Sequence, residues 1–582
     1  STVEFTGTTA QTIAKAGGTE TFYNLKINKA SNTVTVGPTT NINIIGNGSL
    51  NIASGTFDAA GRNITLKSAA PIANMDQTAR LSEVLGTFNN ATNVTVERYL
   101  PVHSSYMTSG ATPVSVTYRA TMLAPAVSGV IAANWADDIK IIGGPAGSGF
   151  AAPNITSYSS ISNYSELSGG SSINGGWRYV LQSSTPLYSG NGYRVSAGFR
   201  GLNETLSVTG TPVIGSFSKP ITYTANGTQG WNLIGNPYPC ELNYQTFYNY
   251  PANKAAIEAA VYILDPLNNS TTAQNNSYYY YIPTAGPNGL AVESRGTARP
   301  ATSLKYIASS QAFFVKARNT NPTYNLTFNE NMKANGAVYG NFRTENPDLV
   351  RIDVSDGSLI DQAVVYFSAG ATDTFDPDFD ALKIDNANLN ISSHAIGGNT
   401  EMAINGISEV NDVFIPLKIT SKSSKIHSLK VVEFETNKDR KLYIYDKLKN
   451  NYYELSSNFN FNFENSGSEN LNRFFITNTA KNVVTSLEEE SAWGRKMSLS
   501  PNPYNGGTLN VIIKSYQSDN ASIEITDIKG KTLKTELRTG SIQGNKSIYD
   551  IENIVGDLAA GTYIVKYKTQ TEFYQQKLVI VK

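Results

Sequence analysis

The chain has 582 residues, too many for one apolar core, so roughly 100–200 residues per domain implies several domains. Its 46 acidic and 46 basic residues cancel, which removes the electrostatic basis for binding nucleic acid. A lone Cys240 excludes an intrachain disulfide, and no run of about 18 apolar residues is present to cross a membrane as a helix.

Tyr (33) outnumbers Phe (23), and Asn, Gly, Ser and Thr are abundant. These residues favour pleated strands and tight turns, so the predicted fold class is all-β. Residues 1–75 read as short alternating strands, with Ile42, Ile44, Leu50, Ile52, Phe57, Ile64 and Leu66 at period two and Asn or Gly between runs. Even spacing of such strands predicts the rungs of a short β-solenoid, the end of a longer stalk. The start "STVEFTG" has no initiator Met or signal peptide, which fits a removed leader or a piece of a longer protein.

Residues 76–335 read as one large β-sandwich domain. Its first part, "DQTARLSEVLGTFNN", is expected to hold a short helix, because Leu81, Val84 and Leu85 share a helical face. Strands follow, with landmarks "VERYLP", "GWNLIGNPYPC" and "QAFFVKAR". In "GWNLIGNPYP" two X-Pro bonds suggest a turn, with a cis peptide expected, that puts Trp231 in the core. The run "SYYYYIP" alternates faces, so one tyrosine pair packs inward; Tyr279 and Tyr280 are the candidate residues for a solvent-facing carbohydrate platform.

Residues 340–480 form a second predicted sandwich of six alternating strands, from "LVRIDVSDG" to "NRFFITNT". In "TDTFDPDFDAL", Asp376, Asp378 and Asp380 alternate like the first ligands of a calcium loop, with Asp373 nearby. Ala381 and Ala387 stand where an EF-hand needs Gly and Glu, so an acidic turn pinned by Phe375 and Phe379 competes with Ca2+ as the explanation. Residues 481–497, with three consecutive Glu, read as a linker, and 498–582 as a last, immunoglobulin-like sandwich.

Catalytic chemistry has little to work with. His103, His394 and His427 fall in different segments, and no nucleophile elbow, H-E-x-x-H helix, C-x-x-C or phosphate-cradling loop occurs. The expectation is a protein without enzymatic activity, without a cofactor other than the candidate Ca2+, and with Cys240 as an inert, partly buried thiol.

The last segment carries an ordered set of signals: Pro501-Asn502-Pro503, then Asp527 with Gly530, then Leu558, Gly561 and Tyr563, then Lys577-Leu578-Val579 and the final Lys582. Pro501 and Pro503 stiffen the approach to the first strand, Gly530 suits a hairpin turn, and Gly561 should relieve crowding where the chain turns into the strand of Tyr563. The final strand is expected either to pair fully with the preceding hairpin arm or to offer an edge that a receptor augments.

In order and spacing this segment resembles the type A C-terminal sorting domain of the type IX secretion system of Bacteroidota. The resemblance implies export through the periplasm and the outer-membrane translocon, with shuttle and sortase-like components as partners. It also implies removal of the domain within Glu488–Met497, and attachment of the passenger to surface lipopolysaccharide. The upstream part is similar to C-terminal portions of large Flavobacterium-type surface proteins. Together these imply an adhesin-like protein at the cell surface or outside the cell. The competing reading is an accessory carbohydrate-binding region of a secreted polysaccharide-active enzyme whose catalytic domain lies upstream.

Overall fold

A computed structural model of the chain describes residues 1–72, 75–100, 119–167, 173–197, 204–226, 228–264, 278–286, 289–293, 304–319, 323–334, 348–386, 388–395, 398, 400–409, 413–423, 426–436, 440–465, 473–479, 497–513, 520–543, 546–569 and 573–581. Apart from a few helices of one or two turns, these residues are strands and their connections, as the composition predicts. They group into two compact units, Ser1–Ala480 and Lys481–Lys582. His103, the linker residues 481–496 and Lys582 lie outside the described residues.

The first unit opens with strands Thr2–Phe5, Thr19–Val36, Asn41–Asp58 and Ile64–Leu66, each parallel to the next. Parallel pairing puts like residues over like. Leu25, Leu50 and Leu81 form one buried column, and Ile44, Leu66 and Val96, with the half-buried Phe22, another. Phe57 stacks on Phe88 with ring centres 5.4 Å apart. The helix expected within residues 76–92 is absent. Strands Met75–Thr78, Arg80–Val84 and Thr87–Asn89 occupy the segment, and the last two run parallel to Asn41–Asp58. Leu81 and Val84 are buried there, but Leu85 is 68% exposed. The sheet then continues without a break at residue 75. Val94–Leu100 is parallel to Ile64–Leu66 and antiparallel to Glu204–Pro212.

Next comes a five-stranded antiparallel sheet in the order Trp231–Gly235, Ala312–Lys316, Val261–Leu264, Tyr278–Ile282, Leu290–Glu293. Two short helices, Tyr244–Asn249 and Pro251–Ala256, interrupt it in sequence. The Asn243 side chain caps the first by accepting from the Thr246 N–H, and Pro251 begins the second, where its missing N–H costs nothing. Trp231 is buried as expected, edge-on to Tyr262 at 4.7 Å. Among the described residues the cis peptides lie elsewhere, before Pro153, Pro501 and Pro503.

All four tyrosines of the YYYY run are buried, Tyr280 at 0% and Tyr279 at 7% exposure. The solvent-facing platform assigned to Tyr279 and Tyr280 is therefore corrected. Their strand lies inside the sheet, paired on both edges, and both of its faces are covered. The same apolar cluster takes in Leu349, Val364, Tyr366, Ala403 and Ile404, so core packing continues past residue 340. The eleven-stranded sheet that follows runs from Leu349–Ser355 to Phe474–Thr477 and contains all six predicted strands.

In the second unit two four-stranded sheets enclose one apolar core. One holds Met497–Ser500, Asn510–Ile513, Lys546–Asp550 and Ser541–Gln543. The other is ordered Thr532–Thr539, Asn520–Asp527, Gly561–Lys568, Phe573–Ile580. Val511, Ile523, Ile525, Tyr549, Val565, Tyr567 and Leu578 fill the space between.

Candidate functional site

The chain's final strand, Phe573–Ile580, stands at one end of its sheet. It pairs over its whole length with Gly561–Lys568, from Gly561 opposite Ile580 to Lys568 opposite Phe573. Alternation buries the Leu578 and Ile580 side chains on one face, and the backbone groups of Lys577, Val579 and Val581 point to the other edge.

That edge is covered over its C-terminal half by the segment Asn502–Tyr504. The Asn502 Nδ2 donates to the Lys577 carbonyl (2.7 Å), and the Val579 N–H donates to Asn502 Oδ1 (2.9 Å). One step on, the Tyr504 N–H donates to the Val579 carbonyl and the Val581 N–H to the Tyr504 carbonyl, both at 2.7 Å. This is the pattern of a parallel ladder in which a side chain supplies the first rung. The reason lies in the flanking residues. Pro501 and Pro503 have no N–H, and the Asn amide carries the same donor–acceptor pair as a peptide group. Tyr504 is then locked by its hydroxyl, which donates to the Gly507 carbonyl at 2.8 Å.

The other signal residues shape the same sandwich. Asp527 organises the hairpin turn: its carboxylate accepts from the Lys529 and Lys531 N–H groups at 2.9 Å, and Gly530 adopts φ +86°. Tyr563 is anchored by its hydroxyl on the Ala559 carbonyl at 2.9 Å, and Leu558 packs against the core. Gly561 does not relieve crowding as expected. A Cβ there would meet the Tyr563 ring at 3.5 Å, ordinary contact.

The acidic loop is assembled differently from a calcium site. Asp376 and Asp380 cap their own turn: Asp380 accepts from the Asp376 and Gly406 N–H groups (2.6 and 2.7 Å), and Asp376 accepts from the Asp378 N–H (3.0 Å). Asp378 is taken by a cation of the chain itself, Arg318 at 2.5 Å, and by the Tyr248 hydroxyl. Burial works to raise its pKa, yet the Tyr248 hydrogen bond and the Arg318 charge hold it below the ordinary value. Burial raises Asp376 and pushes Asp380 up to about 8. Asp373 lies on the preceding bend. Among the described residues no three His, Cys, Asp or Glu side chains converge as metal ligands. The alternating carboxylates therefore do not form the predicted Ca2+ cluster, because the strict spacing is spent on turn capping and one ion pair.

Cys240 is fully buried, and burial pushes its thiol up to about 12, far from a thiolate at neutral pH. His427 is buried with its Nε2 on the Ser421 hydroxyl at 2.9 Å, and His394 is buried in a strand of the same sheet. The Asn502 rung was legible as a motif in the sequence, but its role as a ladder partner was not. The prolines on either side are the signal for it.

Comparison with known families agrees with this geometry. Residues 498–581 match the model of the secretion system C-terminal sorting domain. No curated protein matches the chain. The sorting domain marks the protein as a type IX secretion substrate exported to the cell surface or extracellular space, and no helix among the described residues is long and apolar enough to cross a membrane. Residues 8–477 match a second model, which spans most of the chain, and by that match the protein belongs to the family described as Domain of unknown function (DUF8693).

Proposed function

We propose that this protein is a non-enzymatic, adhesin-like surface protein of a Bacteroidota bacterium. In this reading the parallel strands of residues 2–100 are the last rungs of a β-solenoid stalk, the sandwiches beyond them are the exposed body, and the second unit is the export address. The observation that carries the reading is the sorting domain itself, whose final strand is built into a sheet and held on its free edge by Asn502 and Tyr504. The in-register columns of Leu25, Leu50 and Leu81 support a stalk, because stacked rungs bury a continuous core. The inert Cys240 and the hydrogen-bonded His427 support a role without covalent or acid–base chemistry. The alternative accessory carbohydrate module loses its proposed platform with the burial of Tyr279 and Tyr280.

The test is removal of Lys577–Lys582 in a type IX-competent host, followed by cell fractionation. Retention in the periplasm is expected. Normal delivery of the truncated protein to the surface overturns the assignment of the final strand as part of the address. Mass spectrometry of the delivered passenger should place its new C-terminus within Glu488–Met497.

A further inference from the structure

The parallel sheet of the first unit has an outer face as well as a core. On it the register lines up Thr2, Asn24, Ser49 and Arg80 in one row across four strands, and Glu4, Lys26 and Asn51 in the next. Side chains from both rows line a cavity of about 320 Å³. That volume sits at the small end of sites that hold small molecules, roughly 300–1,000 Å³, and suits a ligand the size of one monosaccharide.

The lining is prepared for a polyhydroxylated ligand. Asn24 is fixed in the middle of its row: its Nδ2 donates to the Thr2 hydroxyl at 3.3 Å, while its Oδ1 accepts from the Ser49 N–H (3.0 Å) and hydroxyl (3.2 Å). Amides and hydroxyls thus recur from strand to strand, about 4.8 Å apart, in side chains that are already ordered.

The charge in the cavity is not balanced. Lys26 is neutralised by Glu4 at 3.0 Å. Arg80 has no carboxylate against it among the described residues, and its Nε–H has no hydrogen-bond partner. The terminal nitrogens, which are not buried, form the other side from which a guanidinium grips a carboxylate with two parallel hydrogen bonds. On the neighbouring row Asn51 carries a second unpartnered atom, the acceptor Oδ1. Both atoms are buried, so neither faces the cavity, and what the cavity presents is the uncompensated Arg80 guanidinium. In a chain of zero net charge this makes a local cationic spot ringed by hydroxyl and amide groups.

We propose that this cavity binds a carboxylate-bearing sugar residue, with Arg80 holding the carboxylate and Thr2, Ser49 and Asn51 meeting its hydroxyls. The proposal rests on the reading of the protein as a surface-exposed adhesin and names the chemistry of its target.

The experiment is isothermal titration calorimetry of the purified full chain with glucuronate and galacturonate, against glucose and galactose as neutral probes. Saturable 1:1 binding of at least one uronate is expected, with the matching neutral sugar at least tenfold weaker. Arg80→Gln should weaken uronate binding at least tenfold, and Asn51→Ala should weaken it to a smaller extent. Thermal unfolding of each variant checks that the fold survives. If Arg80→Gln unfolds, Asn51→Ala together with Ser49→Ala carries the test. No uronate binding at millimolar concentration overturns the proposal. So does unchanged binding in the variants, or equal affinity for the neutral sugars. Because export is read separately by fractionation, a chain that reaches the surface but binds no uronate leaves the sorting assignment standing.

Discussion

The side chain of Asn502 holds Val579 across 77 residues of sequence, accepting from its N–H at 2.9 Å while donating to the carbonyl of Lys577. Between two prolines it does what a peptide group does elsewhere in a sheet, and so extends the ladder of the final strand past the point where the backbone could. Asn502→Ala should remove both bonds and cost about 1 kcal/mol, the low end for hydrogen bonds because the pair is solvent-exposed. Asn502→Asp should do no better, since it sets a carboxylate against the Lys577 carbonyl. Hydrogen exchange gives the sharper readout. The Val579 amide should exchange faster in Asn502→Ala, while the Val581 amide, bonded to Tyr504, keeps most of its protection. Equal protection of Val579 in wild type and variant counts against the rung.

Much of this architecture was legible from period and punctuation. The buried columns through Ile42, Ile44, Leu50 and Ile52 follow from alternation, and the turn at Gly530 follows from its neighbours. Two failures have physical causes. Leu81 and Val84 fit a helical face and a strand with a register shift equally well. What decides between them is the template offered by Asn41–Asp58, which no local window contains. The four tyrosines alternate faces, but alternation cannot say whether one face or both are covered. A continuous run of large side chains was itself the mark of a strand buried on both sides. The cavity over Asn24 and Arg80 was illegible because it needs the register between strands that lie 22 to 31 residues apart.

A second prediction concerns a buried ion pair of the first unit. Lys383 Nζ lies 2.5 Å from Asp361 Oδ2, and neither side chain is exposed. Asp361 also accepts from Asn386 Nδ2 (2.9 Å) and the Ile391 N–H (2.7 Å), so its burden of burial is shared by three donors. Lys383→Met should cost about 3–5 kcal/mol, because it strands a buried carboxylate without its countercharge. The double variant Lys383→Met with Asp361→Asn should recover part of that loss, since no charge then remains to be compensated. Urea unfolding of the four proteins of the cycle measures it. A double variant less stable than Lys383→Met alone would show that the carboxylate is held by its neutral donors and not by the lysine.

The third prediction is a pH dependence. Burial pushes Asp380 from its ordinary value of 3.8 up to about 8, against the pull of the two N–H groups it accepts from. Between those two values the folded protein keeps a proton that the unfolded chain has released. The unfolded state then binds fewer protons, so stability is greatest below about pH 4 with respect to this group and falls as pH rises through 8. Asp380→Asn cannot titrate. Its amide accepts with one oxygen only, while Asp376 and Gly406 both donate, so the variant should be less stable than wild type in acid. Wild type should then lose that advantage as pH rises. Other buried carboxylates, Asp353 and Glu258 among them, are also raised by burial and tilt both curves alike, so the informative quantity is the difference between the two proteins. Thermal unfolding from pH 4 to pH 9 should show the gap closing by alkaline pH. Parallel curves would mean that Asp380 stays ionised in the fold, held by its two backbone donors.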